Sequence, residues 1–118
     1  DDVVITGGLS VAPAQVLDAI LASGVVEDAW VTSTPDEKWG EVVTALVVPA
    51  AMPADEEAMA ELGRLVRDAA GARLGRAYAP RRIVAVDALP YLEGVKIDRI
   101  GASAIAESET RPERDWWR

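Results

Sequence analysis

The side chains with the clearest chemical potential are few. Lys96 follows Gly94 and Val95 in a loop, just ahead of a helix-forming run that opens at Asp98. An ammonium there is a compact positive charge suited to phosphate or carboxylate oxygens, although a lone loop lysine is in most proteins only a solvated charge. Arg76, Arg81 and Arg82 flank Tyr78 and Pro80. Such a group can hold a phosphate through planar guanidinium forks, or can simply offset an acidic surface. Gly7 and Gly8 follow a short extended run. They mark either a tight turn needing positive φ or a backbone that a ligand approaches closely. Asp55, Glu56 and Glu57 read as the solvated start of a helix, and Glu107 and Glu109 as tail solubility. Histidine and cysteine are both absent. That excludes disulfides, a Cys/His zinc site, a cysteine nucleophile and any histidine base or triad, and no acidic cluster has metal-ligand spacing.

These residues need a scaffold, and its elements are legible. Asp2–Thr6 reads as a short strand closed by Gly7-Gly8. Pro13 suits a first helical turn with Ser10 as a cap upstream, and Val16, Ile20 and Leu21 keep helical spacing up to Gly24. Val25–Ser33 and Glu41–Val48 read as an antiparallel strand pair joined by the polar turn Thr34–Lys38. A second helix starts at Asp55-Glu56-Glu57, presents Met59, Leu62, Leu65, Val66 and Ala69 on one face, and stops at Gly75. Arg82–Val86 is a further strand, Asp87–Val95 a loop, and Asp98 to about Glu107 a short final helix. The expected fold is α+β: a small, largely antiparallel sheet of about three main strands plus a short N-terminal one, packed with about three helices. Trp30 is expected on a strand face in the core, and the tail is polar apart from Trp116 and Trp117.

A length of 118 residues fits one domain, and 50% hydrophobic with 27% charged residues is a globular balance. The net charge of −8 opposes any general attraction to nucleic acid or an anionic membrane. No apolar run reaches the length of a membrane span, and no signal-peptide pattern is present. The chain opens at Asp1 rather than Met, which suggests a piece of something longer.

Taken in order, several segments resemble the C-terminal domain of the adenylate-forming enzymes: acyl-CoA synthetases, adenylation domains of peptide synthetases, and luciferases. Asp1–Gly8 resembles the segment after the Gly-Arg of that family's domain junction, and Val11, Pro13 and Val16 match the helix that follows. Gly24–Ala29 resembles "GVxDAAV", and Pro35–Glu41 resembles "PDExWGE" ahead of an "xAxVV" strand. Tyr78–Ile83 resembles "YKxPxxI", and Leu89-Pro90 with Lys96–Arg99 resembles "LPRTxxGKIDR". The resemblance runs from residue 1 to about 106.

It implies a two-step reaction. A carboxylate attacks the α-phosphate of ATP to give an acyl-adenylate and pyrophosphate; the C-terminal domain then turns on a hinge, and a thiol displaces AMP. Lys96 matches the adenylation lysine, Asp1 the hinge residue, and Gly7 and Gly8 the loop that enters the active site in the second step. Trp39 and Arg81 fall where related ligases meet CoA, the indole near the nucleotide and the cation near its phosphates. Lys96 would act as a cation, because the attacking carboxylate is already ionised and needs no base. The resemblance further implies residues 1–107 as the mobile C-terminal domain, 108–118 as a polar tail, and a large adenylate-binding domain outside this chain. ATP and CoA are then substrates, with Mg2+ arriving through ATP on the other domain. The partners are that domain and a small carboxylate, the location is cytoplasmic, and the isolated chain is inactive.

This sequence departs from the pattern at several points. Val95 stands directly before the lysine where the family has glycine, Gly94 lies one place upstream, and Glu93 adds a negative charge. Gln15 replaces a usual Glu, and Ala79 directly precedes Pro80 without the "YK" lysine. Within the family, Gly-Gly-Leu-Ser-Val is most like o-succinylbenzoate–CoA ligase of menaquinone biosynthesis. Two other readings stand beside this one: a stand-alone α+β binding module, and the C-terminal subdomain of an adenylation domain that loads a carrier protein.

Overall fold

The computed structural model describes residues 2–109. Asp1, the expected hinge residue, and the tail from residue 110, with Trp116 and Trp117, lie outside the described residues. The central element is the hairpin of β3 (Asp28–Asp36) and β4 (Gly40–Val48), paired in register from Asp28↔Val48 to Asp36↔Gly40. Strand β4 is buried from Val42 to Val47 because both of its faces are covered. Val43, Ala45 and Val47 face α1 (Pro13–Ser23) and α2 (Glu56–Leu74), where Val16, Ile20, Leu62, Val66 and Ala70 complete the main core. Leu46 points the other way, toward α3 (Arg99–Ser108), which approaches through Ala102 and Ala106. Trp30 packs at the margin of this second core, as expected of a strand-face residue.

The free edge of β4 is shared. At one end β1 (Val4–Thr6) meets it antiparallel through Thr6↔Gly40; further along β5 (Arg82–Ala85) runs parallel to it, from Thr44↔Arg82 to Val47↔Ala85. The parallel pairing follows from α2, which carries the chain across one face between β4 and β5. Both long helices have the stops expected of them: α1 has Pro13 at its start and Gly24 in the left-handed conformation at its end, and α2 is capped by Asp55, whose carboxylate accepts from the Ala58 N–H at 2.8 Å.

Four local expectations change. Gly7-Gly8 does not join a strand to a helix: it is the two-residue turn of a hairpin between β1 and β2 (Leu9–Val11), with φ +56° and +85° as a type I′ turn requires. Ser10 lies within β2, so it caps nothing, and Ala12 precedes α1 without a side-chain cap. Strand β3 starts at Asp28 rather than Val25 and continues through Pro35, which an edge strand tolerates because no outer neighbour needs its N–H. The loop expected from Asp87 to Val95 contains half of a small hairpin, β6 (Tyr91–Leu92) with β7 (Lys96–Ile97), so Lys96 sits on a strand and not in a loop. The sheet is accordingly five-stranded with this separate two-stranded ribbon, and still largely antiparallel.

Candidate functional site

The candidate residues separate into two places. Lys96 occupies the β6–β7 hairpin, opposite Leu92. Val95 N–H donates to the Leu92 carbonyl at 3.2 Å, with Glu93 at φ +52° and Gly94 at φ +79° between them. The displaced glycine therefore has a job: Gly94 takes a left-handed position of the turn, and Val95, outside those positions, can be any residue. Glu93 is the non-glycine residue that bears a left-handed backbone here, at a cost of about 1 kcal/mol. The hairpin is tied to β3 at one point and closed at its base by a bond between its own ends. The Tyr91 hydroxyl donates to the Asp28 carboxylate, and Asp98 N–H donates to the Pro90 carbonyl at 2.9 Å. Asp98 then caps α3 by accepting from the Gly101 N–H at 2.9 Å. The Lys96 side chain is exposed and has no ion-pair partner among the described residues. Val95, its chain neighbour, and Ile100, in the first turn of α3, are each 85% exposed.

The hydrogen bond to Asp28 is the main cause that raises the Tyr91 phenol above its ordinary value of 10.0. A raised folded-state value means the tether is fully present below that ordinary value and is lost as pH climbs through the higher one. Tyr91→Phe is expected to speed amide hydrogen exchange several-fold in residues 91–97 near neutral pH while leaving that of α1 and α2 unaltered. Unchanged exchange in the hairpin would mean the bond does not restrain it.

The second place is assembled from three separate elements. Trp39 closes the β3–β4 turn, Gly7 the β1–β2 turn, and Arg81 lies just before β5. Gly7 N–H donates to the Trp39 carbonyl at 3.1 Å, and Arg81 N–H to the Val43 carbonyl at 2.9 Å. The Arg81 guanidinium lies 4.2 Å from the centroid of the Trp39 ring, with Lys38 Nζ at 5.2 Å. A Cβ on Gly7 would fall 2.5 Å from Trp39 Cε3, so the backbone there packs directly against the indole. Gly8 has open space around the same position. Trp39 Nε1 is buried with no hydrogen-bond partner among the described residues. Positive charge converges nearby: burial, and then the like charges of Arg76 and Arg81, hold the Arg67 guanidinium below its ordinary value. An aromatic face under a guanidinium and an ammonium, beside glycine backbone, can stack a planar ring and pair a phosphate.

So Gly7, Trp39 and Arg81 come together, Gly8 lies beside them on the same turn, and the Lys96 side chain forms no hydrogen bond, ion pair or ring contact with any of them among the described residues. Sequence reasoning missed the support under Trp39. Asp36 and Arg82 form a buried ion pair, Oδ1 to Nη2 at 3.5 Å, with Arg82 4% exposed and the Asp36 side chain fully covered. Asp36 Oδ2 also accepts the N–H groups of Lys38 and Trp39 at 3.0 and 2.9 Å. An Asp placed three residues before Trp39 is a turn signal that was available; its pairing with Arg82 is tertiary and was not. Among the described residues no group of three or more His, Cys, Asp or Glu side chains could hold a metal ion. No helix among them is long and apolar enough to cross a membrane.

Residues 16–92 match the AMP-binding enzyme C-terminal domain family, and the chain belongs to that family. It is 41% identical over 90 residues to a medium/long-chain-fatty-acid–CoA ligase, FadD8, of Mycobacterium tuberculosis, which covers 75% of this chain and 16% of the ligase. It is 39% identical over 56 residues to a 2-succinylbenzoate–CoA ligase of Bacillus cytotoxicus, covering 48% of this chain and 12% of that protein. Among solved structures, a Mycobacterium tuberculosis fatty acyl CoA synthetase superposes with a TM-score of 0.75 at 29% identity, over 91% of this chain and 20% of the synthetase. The chain thus spans about a sixth of the FadD8 ligase. Its relatives are acyl-CoA ligases, and the part of them that it matches is their C-terminal domain.

Proposed function

We propose that the chain is the mobile C-terminal domain, residues 1–107 with a polar tail over 108–118, of an AMP-forming acid–CoA ligase. In the first step a substrate carboxylate oxygen bonds to the α-phosphorus of ATP and the bond to pyrophosphate breaks. In the second the CoA sulfur, as its thiolate, bonds to the acyl carbon and AMP leaves. Lys96 stabilises the charge that the carboxylate and α-phosphate share as they meet. Gly7 and Gly8 admit the pantetheine arm, while Trp39 and Arg81 receive the nucleotide and its phosphates. Asp1, ahead of the first strand, is the hinge. ATP with its Mg2+ and the acyl group bind on a larger domain outside this chain, so the isolated chain has no ligase activity. The whole enzyme works in the cytoplasm.

The observation that carries the CoA side is the Gly7–Trp39–Arg81 assembly, built from three segments that share no neighbouring sequence. A binding module with no enzymatic partner has no evident need for that assembly together with a separate exposed lysine. For the acid, a medium- or long-chain fatty acid is favoured, since the FadD8 similarity extends over 75% of the chain. The narrower reading, o-succinylbenzoate and menaquinone biosynthesis, rests on Gly-Gly-Leu-Ser-Val and on the similarity over 56 residues. The test is AMP release by the full-length protein with ATP, CoA and a panel of acids. CoA-dependent AMP release with C8–C16 fatty acids is expected. Turnover of o-succinylbenzoate alone would select the narrower reading, and acyl-adenylate formation that ignores CoA but loads a carrier protein would replace the ligase with an adenylation domain.

A further inference from the structure

We propose that Asp36 and Arg82 are positioning residues for the CoA-side surface, holding Trp39 and Arg81 in the stack that receives the nucleotide; this rests on the ligase reading given above. A buried ion pair is a poor device for stability alone, because desolvating both groups cancels most of their attraction, and apolar replacements often serve as well. Its purpose is better sought in what it holds. Asp36 divides its carboxylate between two tasks, Oδ1 facing Arg82 at 3.5 Å and Oδ2 accepting from Lys38 and Trp39 in the turn. The guanidinium fixes the carboxylate plane, and that plane fixes the turn on which Trp39 rides. Arg82 is locked in turn: it donates to Thr34 Oγ1 and, at 3.4 Å, to the Pro35 carbonyl, and Thr34 Oγ1 bonds Thr44 Oγ1 at 2.9 Å. Its chain neighbour Arg81 emerges on the other side, with its guanidinium 4.2 Å from the Trp39 ring centroid. Both layers of the stack are therefore anchored to one buried carboxylate–guanidinium pair, Trp39 through its own N–H and Arg81 through the adjoining residue.

Two double variants of the full-length protein separate positioning from stability. Asp36→Ala with Arg82→Met removes both charges together and avoids leaving one unpaired, but takes away the turn's acceptor. Asp36→Asn with Arg82→Met removes the same charges and keeps an acceptor oxygen for the turn. The first is expected to raise the KM for CoA about tenfold; the second, which keeps the acceptor but loses the guanidinium that orients it, about threefold, with the rate of acyl-adenylate formation within about twofold of the parent in both. A KM for the second variant equal to that of the parent would take Arg82 out of the positioning role. Trp39→Ala is the reference and is expected to raise that KM by about tenfold or more. If Trp39→Ala leaves the KM unchanged, the CoA reading of the surface fails. If Trp39→Ala raises it and the two double variants do not differ, the positioning role is overturned. Loss of folding in both double variants overturns it equally, since the pair would then have no job separable from stability.

Discussion

Replacing Lys96 with alanine in the full-length enzyme is expected to slow acyl-adenylate formation by about a hundredfold or more, and to leave thioester formation from supplied acyl-adenylate nearly unchanged. The size follows from charge. A cation about 4 Å from an anionic centre, at an effective dielectric of about 20, is worth about 4 kcal/mol before desolvation. That matches the loss of about 3–4 kcal/mol seen when one pre-placed electrostatic stabiliser is removed. The structure gives reason to expect the upper part of the range. The Lys96 backbone lies in a hairpin that Tyr91 holds at Asp28 and that the Asp98–Pro90 bond closes at its base, so the stem that carries the charge is already in place. Lys96→Arg is expected to restore little, because a planar fork does not replace a point charge on the same stem. Quenched-flow measurement of pyrophosphate release, beside AMP release from supplied adenylate, separates the two steps. Equal losses in both would remove Lys96 from its assigned role.

Gly7→Ala is expected to lower kcat/KM for CoA by about tenfold while adenylation stays within about twofold. Two effects combine. The φ of +56° at Gly7 is left-handed, which costs an L-residue about 1 kcal/mol. The new methyl would also fall 2.5 Å from Trp39 Cε3 and 2.7 Å from Cζ3. Those ring atoms belong to a side chain whose turn is bonded to Asp36, so the indole must tilt away from Arg81 or the β1–β2 turn must open. Either change alters the surface offered to the nucleotide. Gly8→Ala has the same backbone cost at φ +85° but open space around its methyl, so its effect is expected to be smaller. Gly8→Leu instead fills that space, and is expected to obstruct the arm of CoA without moving Trp39. The comparison is made on the thioester half-reaction at varied CoA. Equal effects of Gly7→Ala and Gly8→Ala would show that contact with Trp39 is not what matters at this turn.

How much of this was legible in the sequence depended on how local the cause was. The bounds of α2 could be read almost to the residue, because Asp55 and Gly75 act through their own backbone neighbourhood. The same holds for α1 between Pro13 and Gly24. Strands β2, β6 and β7 were not read, since runs of two or three residues are too short for an alternating pattern to register. The sequence puts Pro35 in the polar turn Thr34–Lys38, and only the edge position of β3 makes it acceptable within the strand. The candidate residues Lys96, Gly7, Gly8, Trp39 and Arg81 came from type, spacing and family resemblance. That Gly7 packs under the Trp39 ring, with Arg81 against it, depends on three distant turns meeting along one sheet. The Asp36–Arg82 pair is illegible for the same reason: the sequence puts Asp36 in a polar turn and Arg82 in a cluster of phosphate-holding or surface arginines, whereas Arg82 is buried and only its pairing with Asp36 makes the two a support.

The central claim is that one small domain serves the two half-reactions through two separate surfaces, the Lys96 hairpin and the Trp39–Arg81 stack. Single-turnover rates of both half-reactions, measured in the full-length protein for Lys96→Ala and Trp39→Ala side by side, test it most directly. The account predicts a crossed pattern, with Lys96→Ala slowing adenylation alone and Trp39→Ala weakening CoA use alone. Slowing of the same half-reaction by both variants would contradict it.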